Sequence, residues 1–278
     1  MRPMGMFNVS SNNTAVAINK NGRRIGAPVM GSFIDAVLWQ EAIDTLLRWA
    51  KERQSSYVCI CNVHVVVTAK QDPKFRQVVN EADMTTPDGM PLAWMLRWIG
   101  FQRQERINGP DLMWRLCEQA VKKELSIFFY GSTPETLGRL TVNLQTAFPQ
   151  LAITGVYSPP FRPLSDEEDR EMIDLINRSG AHIVFVGLGC PKQEFWMAAH
   201  RGKIQAVMIG VGAAFDYHAG TVKRAPLWMQ RSGLEWLFRL MSEPKRLWKR
   251  YLVTNSLFLI YLGLGLFMAK GKWRNVRS

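Results

Sequence analysis

Hydrophobic positions along the chain follow two alternating patterns. From about Ile34 to Gln54, apolar side chains recur every third or fourth residue, which predicts an amphipathic helix. The run Tyr57–Thr68 is mostly apolar and rich in Val, and it predicts a buried strand that enters a turn or a helix. Continuous strands of this kind are typical of parallel sheets that are covered on both faces.

The same alternation continues to about residue 210. Further strands are predicted at Leu125–Tyr130, Ala152–Val156, His182–Val186 and Ala206–Gly210. Helices are predicted between them, and one begins at Ser165, with Glu168 three residues later as a reciprocal capping partner. The pattern therefore predicts an α/β fold with a Rossmann-like, mainly parallel sheet. In such sheets, ligands bind beside the carboxyl ends of the strands.

The composition changes near residues 219–222, and helical patterns dominate after that point, at Leu227–Met241, Pro244–Leu252 and beyond. Residues 222–278 contain 12 of the 35 Lys and Arg residues but only two of the 23 acidic residues, so they carry +10 of the net charge of +12. We predict three parts: a flexible polar leader at 1–26, an α/β core at 27–221 and a helical, basic appendage at 222–278. The positive charge indicates an anionic partner for the appendage.

The appendage combines its cations with aromatic side chains and one apolar stretch. Cations and aromatic rings together fit either a nucleic acid or a membrane surface. The 17 residues Leu252–Met268 favour the membrane, although as a helix they reach only ~26 Å, short of a ~30 Å hydrocarbon core. We expect a helix that lies in the interface of an anionic membrane or inserts shallowly into it, and no nucleic acid as partner. One spanning helix and a core helix of an oligomer are the alternatives. The N-terminus lacks the apolar core of a signal peptide, so we expect the protein on the cytoplasmic side.

Two polar residues, Asp88 and Asn62, stand at positions where they could take part in catalysis or ligand binding. Asp88 lies in the segment Thr86–Pro91, between two prolines, and is either an exposed residue of a surface turn or a carboxylate held rigidly as a general base. Asn62 directly follows a buried strand, where it either contacts a ligand or satisfies local backbone groups.

Glycine-rich turns precede two of the predicted helices, and this arrangement binds phosphate through free backbone N–H groups. Neither turn is complete as a dinucleotide fingerprint, which disfavours a dehydrogenase and leaves a mononucleotide or a sugar nucleotide open. Arg106 could clamp a diphosphate through its planar guanidinium, or it could be a solvated surface residue. The candidate ligand-binding residues of these segments are Arg106, Asn108, Gly131, Gly187, Gly189, Lys192, Gln193 and Glu194.

No His, Cys, Asp or Glu cluster in the sequence has the spacing of a metal site, and no Asp-x-Asp motif is present. We therefore expect no metal and no cofactor. The negative charge of a leaving phosphate would then be stabilised by Arg, Lys or backbone N–H groups.

Taken in order, the motifs resemble the WecG/TagA/CpsF family of bacterial glycosyltransferases. The resemblance covers about residues 28–252 and is carried by Asn62, Pro87–Pro91, Arg106–Asp111, Gly187–Glu194, Gly212–Asp216 and Lys223–Pro226. Each motif is weak alone, whereas the ordered set is highly specific. The apolar and basic segment after residue 252 resembles members from exopolysaccharide pathways.

The resemblance implies a compact fold of the type called GT-E, and an inverting transfer at the cytoplasmic face of the plasma membrane. The implied donor is a UDP-sugar of the glucose or N-acetylmannosamine type, and the implied acceptor is a polyprenyl-diphosphate-linked sugar. Asp88 matches the family's proposed general base, and Asn62 and Gln193 match pocket residues. Arg106 matches a residue that contacts phosphate or substrate. Appendage arginines complete the family's site, and the candidates here are Arg224, Arg231 and Arg239.

One position departs from the family pattern. Many members carry Thr two residues before the Asn, where this chain has Ile60, so the identity of the sugars is open. A non-catalytic, membrane-anchored nucleotide-binding module is the alternative interpretation, and it predicts that Asp88→Asn leaves the function intact. The sequence leaves open whether the chain forms a homo-oligomer.

Overall fold

The computed structural model describes residues 24–274, with side chains described up to residue 264. It begins with a hairpin of β1 (Gly26–Val29) and β2 (Ser32–Asp35), whose strands pair antiparallel. Of the predicted leader, residues 1–23 lie outside the described residues. Arg24 at its end forms an ion pair of 2.7 Å with the buried Asp35.

The first predicted helix begins later than the sequence pattern indicated. Helix α1 (Trp39–Lys51) starts after Leu38, whose backbone is extended. The Glu41 carboxylate accepts a hydrogen bond of 2.9 Å from Leu38 N, which fixes the first turn. Ile34 therefore belongs to the hairpin, and its placement in a helix was wrong.

From residue 56 onward, the five strands that the sequence predicts are present, and the structure adds a sixth strand, β4, and the helix α3 before it. The elements are β3 (Ser56–Cys61), α2 (Val63–Gln71), α3 (Pro73–Glu81), β4 (Met84–Pro87), α4 (Met90–Ile99), α5 (Gly109–Lys122), β5 (Ser126–Gly131), α6 (Pro134–Ala147), β6 (Ala152–Tyr157), α7 (Asp166–Arg178), β7 (Ile183–Gly187), α8 (Lys192–His200), β8 (Val207–Gly210) and α9 (Ala214–His218). Strands β3 to β8 form one six-stranded sheet in the order β4-β3-β8-β7-β5-β6. Every pairing in it is parallel, which confirms the α/β fold class.

The central strands of the sheet are buried on both faces, so the molecule has three layers, whereas the edge strand β6 is partly exposed. Along β3, Val58 and Ile60 pack into the core on one face. Tyr57, Cys59 and Cys61 pack into a second core on the other face. This arrangement explains the largely apolar sequences of the central strands β3, β5, β7 and β8, because neither of their faces meets water.

The C-terminal part is helical, with boundaries that differ from those predicted. It contains α10 (Leu227–Arg231), α11 (Glu235–Ser242) and α12 (Pro244–Arg274). The single helix predicted over 227–241 is interrupted at Gly233, which has a φ of +76°. The two segments predicted after Pro244 form one helix.

Helix α12 packs against α2 of the core, and Thr254 and Phe258 are buried in this contact region. Within residues 24–274, no helix combines the length and the apolar character that are needed to cross a membrane.

Candidate active site

The carboxyl ends of four strands meet at one edge of the sheet and open into a large cavity. The cavity has a volume of about 1030 Å³ and is lined by residues that follow β3, β4, β7 and β8. Helices α11 and α12 supply the opposite wall. The site predicted at the strand ends is therefore enclosed partly by the basic appendage.

Asp88 lies at the junction of β4 and α4, in the wall of this cavity. Its backbone N–H donates to Cys61 O at 2.7 Å, and the preceding Pro87 O accepts from Ile107 N at 3.0 Å. Gly89, with a φ of +97°, then turns the chain into α4. The segment is thus a rigid strand-to-helix connection rather than an isolated surface turn. The Asp88 side chain is 20% exposed, and burial raises the pKa of its carboxyl group.

Arg106 connects Asp88 to the appendage. Its Nε donates to Asp88 Oδ1 at 3.3 Å, and its Nη1 donates to Gln230 O at 3.4 Å. Its Nη2 forms an ion pair with Glu235. The positive charge of Arg106 lowers the Asp88 pKa and so opposes part of the effect of burial. One guanidinium therefore links the carboxylate of the core with two helices of the appendage.

Asn62 satisfies a local backbone group, which is one of the two roles that the sequence left open, and it also lies where a ligand could reach it. Its side-chain oxygen accepts a hydrogen bond of 3.2 Å from Val65 N, so it caps the N-terminus of α2. The same residue lines the cavity. The cap fixes the side chain in the cavity wall. His64 also lines the cavity, and burial lowers its pKa to about 4, so its imidazole is neutral at pH 7.

The turn between β7 and α8 brings Gly187, Gly189 and Gln193 to the cavity. Gly189 N donates to Gln193 Oε1 at 3.2 Å, and Gln193 Nε2 donates to Glu194 Oε1 at 3.0 Å. The Glu194 side chain contributes to the wall but is fully buried, and this burial raises its pKa to about 7. The role that the structure shows for Glu194 is therefore to position the Gln193 side chain by this hydrogen bond.

Three other predicted residues lie elsewhere. Lys192 is exposed and Gly131 is buried at the end of β5, and neither lines the cavity. A side chain at Gly131 would lie 2.7 Å from the backbone of Gly187, which accounts for glycine there by close packing. Arg231 is exposed and also lies outside the cavity wall.

Asn108 and Arg224 form a separate cluster beside the site. Asn108 caps α5 by accepting from Asp111 N at 3.0 Å. Arg224 pairs with the Asp111 carboxylate at 2.5 Å and donates to Asn108 Oδ1 at 3.1 Å. None of the three lines the cavity. The cluster ties the start of the appendage to the core.

Three arginines of the appendage do line the cavity, and the sequence analysis identified only one of them. Arg239 lies with its guanidinium 5.7 Å from the centre of the Tyr217 ring. Arg246 and Arg250 are one turn apart on α12 and face the same cavity. The spacing of these two residues is a signal that could have found them. Within the described side chains, neither Arg239 nor Arg250 forms an ion pair, so the cavity holds positive charge that can neutralise an anion.

The described residues contain no group of three or more His, Cys, Asp or Glu side chains that could hold a metal ion. What the site offers is a rigid, partly buried carboxylate beside arginines from two parts of the chain. Together with the parallel sheet, this defines an α/β enzyme suited to group transfer from an anionic donor.

Comparison with known proteins specifies this class. Residues 27–272 match the model of the Glycosyl transferase WecG/TagA/CpsF family. The chain belongs to this family and is a glycosyltransferase. It is similar to the N-acetylglucosaminyldiphosphoundecaprenol N-acetyl-beta-D-mannosaminyltransferase of Bacillus spizizenii, with 33% identity over 221 residues. This alignment covers 79% of the chain and 84% of the relative.

Proposed function

We propose that this glycosyltransferase moves a sugar from a UDP-sugar to a polyprenyl-diphosphate-linked sugar during cell-surface or exopolysaccharide biosynthesis. The observation that carries the proposal is the placement of Asp88 in one cavity with Arg106, Arg239, Arg246 and Arg250. Both proposed substrates contain a diphosphate, and arginine is the side chain best suited to bind it.

In the proposed reaction, Asp88 accepts the proton of an acceptor hydroxyl. The acceptor oxygen forms a bond to the anomeric carbon of the donor sugar as the bond from that carbon to the UDP oxygen breaks, with inversion. Burial favours this role because it raises the pKa of Asp88 and makes its carboxylate a stronger base. Arginines and backbone N–H groups of the β7–α8 turn stabilise the charge on UDP, so the reaction needs no metal and no cofactor.

The donor sugar is proposed to be of the N-acetylmannosamine or glucose type. The mannosaminyl activity of the Bacillus spizizenii relative supports the first. Ile60 lines the cavity two residues before Asn62, and its apolar side chain offers no hydrogen bond. This supports a donor or acceptor sugar different from that of family members with Thr at this position.

The proposed location is the cytoplasmic face of the plasma membrane, with peripheral or monotopic attachment to anionic lipids. One face of α12 supports this, because Leu252, Val253 and Ile260 are 62%, 45% and 54% exposed. Lys245 and Lys249 precede them on the same helix. Apolar side chains flanked by lysines are the composition of a helix that lies in a membrane interface.

A donor panel tests the proposed reaction. UDP release is measured from a set of UDP-sugars, with and without a short-chain polyprenyl-diphosphate sugar, using the full chain. We expect release that requires both one particular donor and the acceptor. Release from no donor with any acceptor would contradict the proposal and favour the nucleotide-binding module.

A further inference from the structure

Helix α4 is apolar on both of its long faces. On the inner face Leu92, Ala93 and Leu96 are fully buried in the core. On the outer face Trp94 and Trp98, one turn apart, are 47% and 72% exposed and line the cavity. A helix that is apolar all round is normally covered on both sides. The outer face of α4 therefore has the character of a binding surface for an apolar group.

A second apolar wall faces the same cavity from α12. Phe258, Leu259 and Leu262 line it, and Leu259 is 66% exposed. The Trp94 ring packs close to Gly233, because a Cβ atom placed on Gly233 would lie 3.1 Å from it. We call the space between these residues of α4 and α12 the α4–α12 groove.

The groove is continuous with the polar end of the cavity. Asp88 directly precedes the first turn of α4, whereas Trp98 lies eight residues along that helix, ~12 Å further on at 1.5 Å per residue. Arg246 and Arg250 likewise precede Leu259 and Leu262 on α12. The polar groups therefore lie near the starts of both helices, and the apolar groove residues lie further along them.

We propose that the α4–α12 groove binds the isoprenoid chain of the acceptor substrate. The inference rests on the proposed function, and it assigns a ligand to core helix α4. An acceptor presents a sugar hydroxyl, then a diphosphate, then a hydrocarbon chain, which is the order of chemistry along the cavity. Binding the first isoprene units between Trp94, Trp98 and Leu259 would place the diphosphate beside the arginines and the hydroxyl near Asp88.

The hydrocarbon of a bilayer is the other apolar occupant that this surface could contact. The position of the groove favours the substrate chain, because its residues line the same cavity as Asp88. Leu252, Val253 and Ile260 are exposed but do not line that cavity, so they are suited to the bilayer instead.

Binding of soluble isoprenoid diphosphates with two, three and four isoprene units tests the assignment. Affinities are measured by calorimetry on the full chain without lipid, at concentrations below micelle formation. For the wild type we expect the affinity to rise about tenfold per added unit, as apolar surface is buried. In Trp98→Ala this dependence should flatten to less than about threefold, since a large part of the groove wall is lost. Trp98→Phe should restore most of it.

Trp228→Ala is the matched control, because Trp228 is 64% exposed but lies outside the cavity. It should bind the whole series like the wild type. An unchanged chain-length dependence in Trp98→Ala would overturn the assignment. A Trp98→Ala variant that keeps the chain-length dependence but no longer sediments with phospholipid vesicles would also overturn it, because this result would assign Trp98 to the bilayer.

This binding measurement needs no turnover, so it separates the two proposals. Chain-length dependence that requires Trp98, in a protein without transferase activity toward any donor, would support the groove and contradict the proposed function. Acceptor-dependent transfer with a flat chain-length series would do the reverse.

Discussion

Glu194→Gln should change how the stability of the protein depends on pH. Glu194 lies in the first turn of α8, is fully buried and accepts a hydrogen bond from Gln193 through Oε1. No donor in the described residues contacts its Oε2. Burial raises its pKa from 4.5 to about 7. Between these two values the folded protein keeps the proton, whereas the unfolded chain releases it.

The size of the effect follows from the shift in pKa. A difference of about 2.5 units, at 1.36 kcal/mol per unit, corresponds to ~3 kcal/mol of unfolding free energy. The folded state binds more protons than the unfolded state in this range, so the contribution of Glu194 is complete below pH 4.5 and is lost as the pH rises through 7. Glutamine keeps the hydrogen bond to Gln193 and stays neutral, so the variant lacks this loss.

Urea unfolding of wild type and Glu194→Gln between pH 4.5 and 8 measures the difference. The free energy of unfolding of the variant, minus that of the wild type, should increase by ~3 kcal/mol from the lowest to the highest pH. Glu168→Gln is the control. Arg162 holds the pKa of Glu168 at about 2, so this carboxyl group is ionised in the folded and the unfolded state above pH 5.5. The difference in unfolding free energy between Glu168→Gln and the wild type therefore stays constant above that pH. Parallel stability curves for wild type and Glu194→Gln would refute the reasoning.

Three further predictions follow from the same structure. The kcat/KM of the wild type should fall as the pH is lowered through the raised pKa of Asp88. In Arg106→Gln this acidic limb should move to higher pH, because the positive charge that lowers the Asp88 pKa is gone. A pH–rate profile that does not move would contradict the pairing of Arg106 with Asp88. Gly187→Ala should cost ~1–3 kcal/mol in thermal unfolding, because its Cβ would lie 2.5 Å from the Phe215 ring, whereas Gly138→Ala, with open space around it, should not destabilise the protein. Replacing the exposed apolar residues 252, 253 and 260 of α12 by Ser should reduce sedimentation with anionic vesicles several-fold and leave the fold intact by circular dichroism; undiminished sedimentation would exclude this face as the membrane contact.

The α/β fold was predictable because its central strands are buried on both faces. Strands such as β5 and β7 contain uninterrupted apolar residues, and this pattern is visible without knowledge of their neighbours. The hairpin and β4 were missed because these strands of four residues contain proline or polar positions, whereas β8, which is equally short, is uninterruptedly apolar. The cap of α3 by Asp72, followed by Pro73, is a local signal that could have revealed that helix.

The site was predictable only where a local motif marked it. Asp88 and Arg106 stand in recognisable turns, and the fold brings them within 3.3 Å of each other. Arg246 and Arg250 reach the cavity only because α12 packs on α2, a contact between segments almost 200 residues apart in sequence. The same limit applies to Arg224. The family resemblance made it a candidate for the site, but in the structure it pairs with Asp111.

The central claim is that Asp88 acts as the base in an acceptor-dependent sugar transfer. It is tested most directly by measuring single-turnover transfer to a polyprenyl-diphosphate sugar in wild type, Asp88→Asn and Asp111→Asn. Asp111 is the matched control, because its carboxylate pairs with an arginine but lies outside the cavity. We predict that Asp88→Asn lowers the rate by about 10²–10⁴-fold while it still binds the UDP-sugar, and that Asp111→Asn stays within about tenfold of the wild type. Transfer by Asp88→Asn at the rate of the wild type would contradict the account.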